Sequence, residues 1–138
     1  VLYGLLVPQP LHPAKKVIFT ERAPTPIGPY SQAAPSGDFV FTSGQIGIDP
    51  ATGNLSATTE EQTVRIMENL RAILQQSGLG LGDVVQTRIY LTNMSDWTTV
   101  NGIYGSYFKD GYPARVTVQV SGLPKGAKIE IEMVAQKR

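Results

Sequence analysis

The sequence contains no cysteine and only one histidine, His12, and these two absences restrict its chemistry. Without thiols, the chain cannot form disulfides, use a thiol nucleophile or build a thiolate metal site. A zinc or iron site with a single histidine would need an unusual share of carboxylates. Catalysis would therefore rely on arginine, glutamate, tyrosine, serine, backbone groups and water, and the sequence implies no metal or cofactor.

The chain also lacks an excess of charge of either sign and lacks long apolar runs. Twelve basic residues face eleven acidic ones, and no stretch concentrates positive charge. A nucleic-acid-binding protein usually carries a clear basic excess aimed at phosphates, so we expect no nucleic-acid partner. No apolar run approaches the length of a membrane-spanning helix, so we expect no membrane association and a cytoplasmic location.

The first fifteen residues differ from the rest of the chain. Residues 1–7 are mostly apolar but lack a positive flank, and the prolines at 8, 10 and 13 oppose a continuing helix. We interpret residues 1–15 as an N-terminal extension that packs on a neighbouring subunit, and residues 16–138 as one domain. If the extension is a trimmed targeting peptide, the location would be organellar; an expression remnant and a native segment are the alternatives.

Composition and patterning predict a single α+β domain. The apolar fraction of 41% and the charged fraction of 17% are typical of globular proteins. β-branched and aromatic content, or period-two alternation, predicts five strands. In the fourth strand Val116, Val118 and Val120 alternate with polar residues, and in the fifth Ile129, Ile131 and Met133 alternate with charged ones. We expect these two strands to form a hairpin. The predicted strands are 17–20, 39–43, 83–92, 115–121 and 128–135.

Two helices separate the later strands. The first is capped by Thr58 or Thr59 and ends at Gly78. Its predicted apolar stripe consists of Val64, Met67, Leu70, Ile73 and Leu74. The second runs from a cap at Ser95 to Lys109, with Trp97, Val100, Ile103, Tyr104, Tyr107 and Phe108 inward. We expect a mixed β-sheet with both helices on one face and a partner covering the other, so the protein should be an oligomer.

Two kinds of charged side chain on the predicted strands could carry chemistry. Arg115 begins a strand, and a guanidinium on a sheet face among valines is well placed to bind a carboxylate through two parallel hydrogen bonds. An exposed strand arginine or an intersubunit ion pair is the alternative. Glu130 and Glu132 share one face of the last strand and could form an acid/base pair, although adjacent glutamates are more often solvated.

Three further positions could line a pocket. Tyr30 ends the proline-rich loop 23–30 and could close a pocket or cover a sheet edge. Ser43 and Gly44 offer a hydroxyl and an open backbone, with a β-bulge as the alternative. Ser43 is a poor nucleophile candidate, because the only histidine lies in a remote segment. Trp97 is interpreted as a packing residue.

Several motifs, taken in order, resemble the reactive intermediate deaminase A (RidA, or YjgF) family over nearly all of residues 17–137. They are Ala23-Pro24, Ile27-Gly28-Pro29-Tyr30-Ser31-Gln32, Thr42-Ser43-Gly44-Gln45-Ile46, Asp49-Pro50-Ala51-Thr52-Gly53, Asn69-Leu70, Val100-Asn101 with Tyr104, Tyr112-Pro113-Ala114-Arg115, Leu123-Pro124-Lys125 and Lys128-Ile129-Glu130-Ile131-Glu132. Together they are far more specific than any one motif.

The resemblance implies a chorismate mutase-like fold, a homotrimer with a β-barrel-like centre, and active sites between subunits. It implies hydrolysis of 2-aminoacrylate and 2-iminobutanoate to 2-keto acids and ammonia. Arg115 matches the residue that binds the substrate carboxylate, and Glu130 the residue that activates water. The matching pocket positions are Tyr30, Ser43, Gly44 and Asn101. Thr117 occupies a position that is cysteine in many bacterial members, so a hydroxyl or backbone contact is expected there.

Three other functions are considered. A non-catalytic module that binds small carboxylates would need Arg115 but not Glu130. A ribonuclease or translation inhibitor would be expected to carry a basic patch with aromatic platforms, which the sequence lacks. Chorismate mutase activity is suggested only by the fold, and fold does not imply function.

Overall fold

A computed structural model describes residues 15–138, so His12 and residues 1–14 of the predicted extension lie outside the described part. The elements follow the predicted order of strands, helix, strand, helix and strands. Strand 17–20 is reduced to a single bridge between Ile18 and Ala33. The elements are β1 (Ala33–Ser36), β2 (Phe39–Thr42), α1 (Thr59–Gln76), β3 (Val84–Leu91), α2 (Trp97–Gly105), β4 (Ala114–Gln119) and β5 (Ile129–Gln136).

The five strands form one mixed sheet in the order β1-β2-β5-β3-β4. Only β3 and β4 are parallel, because α2 carries the chain back between them. The predicted hairpin between the last two strands is wrong. After β4 the chain crosses the end of β3 and enters between β2 and β3, so β5 is a central strand and β4 an edge strand. Alternation identifies a strand but does not identify its neighbour.

Helix α1 confirms most of the predicted signals. The Thr58 hydroxyl accepts a hydrogen bond from the Glu61 amide at 3.1 Å, and Gly78 ends the helix with φ +75°. Met67, Leu70, Ile73 and Leu74 are buried as predicted, together with Ile66. Val64 is 43% exposed, so that assignment was wrong. At 3.6 residues per turn it lies about 130° around the helix from the centre of the buried stripe.

Helix α2 is shorter than predicted. Met94–Asp96 form a 3₁₀ turn in which the Asn93 side chain accepts from the Ser95 amide at 3.0 Å, so Ser95 is not the cap. The helix ends at Gly105, before Tyr107 and Phe108, which pack against the core from the following turn. Trp97 is 42% exposed and does not face the core.

Both helices lie on one face of the sheet, as predicted. One apolar cluster joins α1 and α2 to the inward side chains of β3 and β5, which include Ile89, Leu91, Ile129, Ile131 and Met133. A β-bulge between Val84 and Gln86 changes the phase of β3. Val84 is therefore buried and Val85 is 42% exposed, whereas uninterrupted alternation along strand 83–92 predicts that Val85 shares the buried face of Thr87, Ile89 and Leu91.

The opposite face, called here the open face, carries exposed apolar side chains. They are Phe39, Phe41, Val85, Val116 and Val118. In the described part of the chain, neither helix is long and apolar enough to cross a bilayer.

Candidate active site in two halves

Arg115 lies on the helix face of the sheet, at its edge. In the parallel pairing of β3 with β4, Arg115 is opposite Thr87 and Thr117 is opposite Ile89, and both partners are fully buried beneath the helices. Val116 and Val118 therefore point to the open face, where they are 48% and 40% exposed. The expectation that valines would surround Arg115 was wrong, because neighbouring residues of a strand point to opposite faces.

Aromatic rings surround the Arg115 guanidinium instead. Its central carbon lies 4.9 Å from the centroid of the Trp97 ring and 5.2 Å from that of Tyr104. A cavity of about 360 Å³ opens beside it, lined by Asn101, Tyr104, Gly105, Tyr112, Pro113 and Arg115. Among the residues that the structure describes, no carboxylate lies within 4.0 Å of this guanidinium. Its N–H donors are available to an anionic ligand.

Two buried oxygen atoms on this side of the sheet lack hydrogen-bond partners. They are Asn101 Oδ1 and Thr117 Oγ1, and they are the only such side-chain atoms within residues 15–138. Asn101 lines the Arg115 cavity, and Thr117 follows Arg115 on the same face of β4. Buried polar atoms normally have a partner, so a polar ligand or water is expected here. The structure thus brings Asn101 and Thr117 together with Arg115.

Glu130 lies in a second cavity of about 690 Å³, lined by Ile27, Tyr30, Thr42, Ser43, Gly44, Tyr90, Pro124, Glu130 and Glu132. Gly44 is in close contact with it, because a Cβ at position 44 would lie 2.8 Å from Glu130 Cδ. The Ser43 hydroxyl donates to the Ser31 carbonyl, and the Tyr30 phenol oxygen accepts from the Ile27 amide at 3.2 Å. Tyr30, Ser43 and Gly44 are therefore grouped with Glu130.

A buried glutamine holds the loop that carries Tyr30. Gln32 Oε1 accepts from the Thr20 amide at 2.7 Å, and Nε2 donates to the carbonyls of Thr20 at 2.9 Å and Pro24 at 3.0 Å. Residues on both sides of the proline-rich loop are thus tied to one side chain. In the sequence Gln32 stands out only as part of a motif, because its buried polar role depends on contacts with a residue twelve positions away.

The two glutamates of β5 have different surroundings. Glu132 accepts from the Tyr90 hydroxyl at 2.8 Å and pairs with Arg88 at 3.3 Å. The Glu130 carboxyl group makes no hydrogen bond or ion pair with the side chains or backbone of the described residues, although its backbone lies in the β3–β5 ladder. Burial raises the pKa of Glu130 above its ordinary value, and the Glu132 charge raises it further. The acid/base candidate is therefore Glu130. Glu132 instead belongs to a cross-strand network with Tyr90 and Arg88. Sequence reasoning missed this network, because alternation does not reveal which residues of two strands lie opposite each other.

The two cavities share no lining residue. Glu130 is opposite Tyr90 in the β3–β5 pairing and projects to the open face, whereas Arg115 projects to the helix face. One chain therefore holds two half-sites: Arg115 with Asn101 and Thr117, and Glu130 with Tyr30, Ser43 and Gly44. Within one chain, the two predicted catalytic residues are not brought together.

Comparison with known proteins relates this arrangement to a family. The family model Endoribonuclease L-PSP matches residues 20–137. A RutC family protein of Pyrococcus abyssi is 51% identical over 125 residues, which cover 90% of this chain and 98% of that protein. TdcF of Escherichia coli, which carries the provisional name reactive intermediate deaminase, is 43% identical over 124 residues, or 88% of this chain and 96% of TdcF.

Solved structures have the same fold. The crystal structure of Escherichia coli TdcF with bound serine has a TM-score of 0.87 and 42% identity, covering 90% of this chain and 100% of that one. RidA from the Antarctic bacterium Psychrobacter sp. PAMC 21119 has a TM-score of 0.87 and 39% identity, covering 88% of this chain and 99% of that one. On these similarities, the chain belongs to the RidA (YjgF/TdcF) family, whose members include provisionally named reactive intermediate deaminases.

Proposed function

We propose that this protein hydrolyses reactive 2-imino acids to 2-keto acids and ammonia. The proposed substrates are 2-iminobutanoate and the imine that forms from 2-aminoacrylate. The observation that carries the proposal is the pair of half-sites: on one face of the sheet a guanidinium that pairs with no carboxylate of residues 15–138, and on the other a carboxyl of raised pKa. We infer that the complete site forms between two copies of the chain in a homotrimer. In our proposal the functional unit is residues 16–138, and residues 1–15 are an extension.

Arg115 is the proposed anchor for the substrate carboxylate. A planar guanidinium binds a carboxylate through two parallel N–H···O bonds, which fix both position and orientation. Asn101 and Thr117 would complete this half, because each has a buried oxygen that lacks a hydrogen-bond partner. A ligand amine or a bound water could supply one. The serine bound to TdcF carries both a carboxylate and an amine, which supports a ligand of this class.

Glu130 is the proposed acid/base group. The enamine first tautomerises to the imine, whose nitrogen is protonated. Water then adds to the carbon of this C=N bond, the π electrons pass to nitrogen, and Glu130 accepts a proton from the water. Glu130 returns that proton to the amine nitrogen of the carbinolamine; the C–N bond breaks, ammonia leaves, and the hydroxyl gives up its proton to Glu130 as the C=O bond of the keto acid forms. A raised pKa suits a carboxyl that must both accept and donate protons near neutral pH. Tyr30, Ser43 and Gly44 would shape this half around the reacting carbon.

The open face is the proposed trimer interface. Its exposed phenylalanines and valines form a surface that a monomer would leave in water. Three copies packed through these faces would form the barrel-like centre implied by the resemblance, and the Glu130 half-site of one copy would meet the Arg115 half-site of the next. A closed, cyclic arrangement gives three equivalent sites.

Subunit mixing tests the composite site directly. Arg115→Ala and Glu130→Gln should each be inactive in an assay that generates the imine with a serine/threonine dehydratase and measures keto-acid release. Co-expressed in equal amounts, the variants should recover about a quarter of wild-type activity, because half the sites receive an intact arginine and half of those an intact glutamate. If each site used both residues of one chain, the mixture would stay inactive, and the interface model would be wrong.

A module that only binds small carboxylates is the second candidate, and the aromatic surroundings of Arg115 are compatible with it. It requires Arg115 but has no use for Glu130. If wild-type protein binds 2-ketobutyrate with no acceleration of imine hydrolysis, and Glu130→Gln binds it equally well, the binding module is correct and the hydrolase is not.

A further inference from the structure

Trp97 and Tyr104 flank the Arg115 guanidinium from one face of α2. They are seven residues apart, which is about two helical turns, so both side chains project from the same side of the helix. Each ring centroid lies within about 5 Å of the guanidinium carbon, well inside the 6 Å range of a cation–π interaction. We call this pair of rings the aromatic bracket.

The two rings of the bracket are held differently. Tyr104 is 3% exposed, and its hydroxyl donates to Thr87 Oγ1 at 2.9 Å. Thr87 is also the β3 residue opposite Arg115, so Tyr104 is fixed by the same strand pair that carries the arginine. Trp97 is 42% exposed and is not part of the core cluster. Its contact with the Arg115 guanidinium is the cation–π interaction that the structure shows for this side chain.

We propose that Trp97 is a positioning residue for Arg115, an inference that rests on the proposed role of Arg115 as carboxylate anchor. The indole lies against the guanidinium carbon, and the cavity beside Arg115 leaves room for a ligand at its N–H groups. Because long side chains lose rotamer freedom when they bind, an arginine already held in contact with two rings loses less on binding a carboxylate.

The effect should appear in substrate binding rather than in the chemical step. A carboxylate anchor contacts a group that does not react, so it stabilises the bound substrate and the transition state equally. Loss of one cation–π contact should therefore raise KM for the imine, and Kd for 2-ketobutyrate, by about 2- to 30-fold with kcat nearly unchanged. A purely structural role would lower the melting temperature and kcat together.

Trp97 is the only tryptophan in the chain, so the site carries its own spectroscopic reporter. A carboxylate that pairs with the guanidinium, whose central carbon lies 4.9 Å from the indole centroid, changes the electric field at the indole. Titration of the wild-type protein with 2-ketobutyrate should change the tryptophan emission in a saturable manner, with the same Kd as calorimetry. In Arg115→Ala the emission change should be absent.

The decisive comparison uses Trp97→Leu, which keeps apolar volume without a π face, and Trp97→Phe, which keeps a ring. Tyr104→Phe is the matched control for the second ring, since it retains the ring but loses the hydrogen bond to Thr87. Oligomer mass and melting temperature verify that each variant is folded. Trp97→Leu should raise KM and Kd, whereas Trp97→Phe should keep both close to their wild-type values.

Two results would overturn the positioning role: unchanged KM and Kd in Trp97→Leu, or an equal defect in Trp97→Phe with a lowered melting temperature. An absence of saturable emission change in wild-type protein that binds 2-ketobutyrate would also overturn it. The proposed hydrolysis fails separately. If wild-type protein binds 2-ketobutyrate through Arg115 and Trp97 but does not accelerate imine hydrolysis, the bracket stands and the enzymatic function does not.

Discussion

Arg115 and Glu130 project from opposite faces of the same five-stranded sheet, with β3 lying between the strands that carry them. Arg115 contacts α2 on the helix face, whereas Glu130 lies over Gly44 in a cavity on the open face. A backbone layer separates the two side chains, and the two cavities share no lining residue. In the proposed function, the reaction that uses both side chains therefore takes place between two copies of the chain.

Replacing Arg115 by alanine should abolish substrate binding without unfolding the protein. Two charge-assisted hydrogen bonds are lost, so kcat/KM should fall by at least about 100-fold. The melting temperature should change little, because no ion pair within the described residues is broken. Arg71→Ala is the matched control: Arg71 also stacks on a tyrosine, Tyr107, at 5.0 Å, but it lies outside both cavities, and activity should be retained.

Glu130→Gln should lose turnover and gain stability near neutral pH. Burial, and then the Glu132 charge, raises the pKa of Glu130 above 4.5, so the folded chain binds this proton more tightly than the unfolded chain. The stability linked to that proton is present at low pH and is lost as pH rises through the interval from 4.5 to the raised pKa. The melting temperature of the variant should exceed that of wild type at pH 7, and the difference should vanish at pH values below that interval.

The pH dependence of activity provides a second measurement of the same group. If Glu130 acts as the base, kcat/KM should increase with pH about a midpoint above 4.5. Glu132→Gln removes the neighbouring charge and should move this midpoint to lower pH. A wild-type activity profile with no acidic limb, in a stable trimer, would contradict the assignment of Glu130 as base.

Gly44→Ala should lower activity, whereas Gly47→Ala should lower the stability of the fold. At position 44 the new Cβ would meet the Glu130 carboxyl group, the movable end of a side chain, so the protein should fold but lose kcat. At position 47 it would lie 2.6 Å from the Gln62 Cα, and backbone cannot move aside cheaply. Gly47→Ala should therefore destabilise the fold by about 1–3 kcal/mol. Chemical denaturation and steady-state kinetics on both variants separate the two effects.

A charge placed on the open face should prevent trimer formation. Val118→Asp would place a carboxylate in the proposed apolar interface, where desolvation without a partner is costly. Val64→Asp is the matched control, because Val64 has similar exposure, 43% against 40%, but lies on the outer side of α1. Sedimentation should show a smaller species for Val118→Asp only. An unchanged mass for Val118→Asp would place the interface elsewhere on the molecule.

Local features of the fold were predictable because each depends on a few neighbouring residues. The Thr58 cap and the Gly78 stop of α1 depend on backbone groups within one turn, and both are confirmed. The alternation of Ile129, Ile131 and Met133 with glutamates correctly indicated a strand with one buried face. The motifs that indicated the RidA family could also be recognised without the structure, since a motif is a property of the residue order itself.

Strand neighbours and the orientation of each face were decided by tertiary structure. Alternation requires that Arg115 and Val116 point to opposite faces, but it does not state which face the helices cover. Valines would ordinarily be assigned to the core, yet here α2 packs over Arg115 and the valines remain exposed. The predicted hairpin failed for a related reason, because the position of β5 depends on its pairing with β2 and β3, which are distant in the sequence.

The sequence by itself determined which residue types could carry the chemistry: with no cysteine and one histidine, it left arginine, glutamate, tyrosine, serine, backbone groups and water. Among these, the resemblance to the RidA family indicated Arg115 and Glu130. Only the tertiary structure separated them into two half-sites and placed Trp97 against the guanidinium. The physical reason is that the side-chain period of a strand is local, whereas the partner of each strand and the helix above it are set by contacts between distant segments.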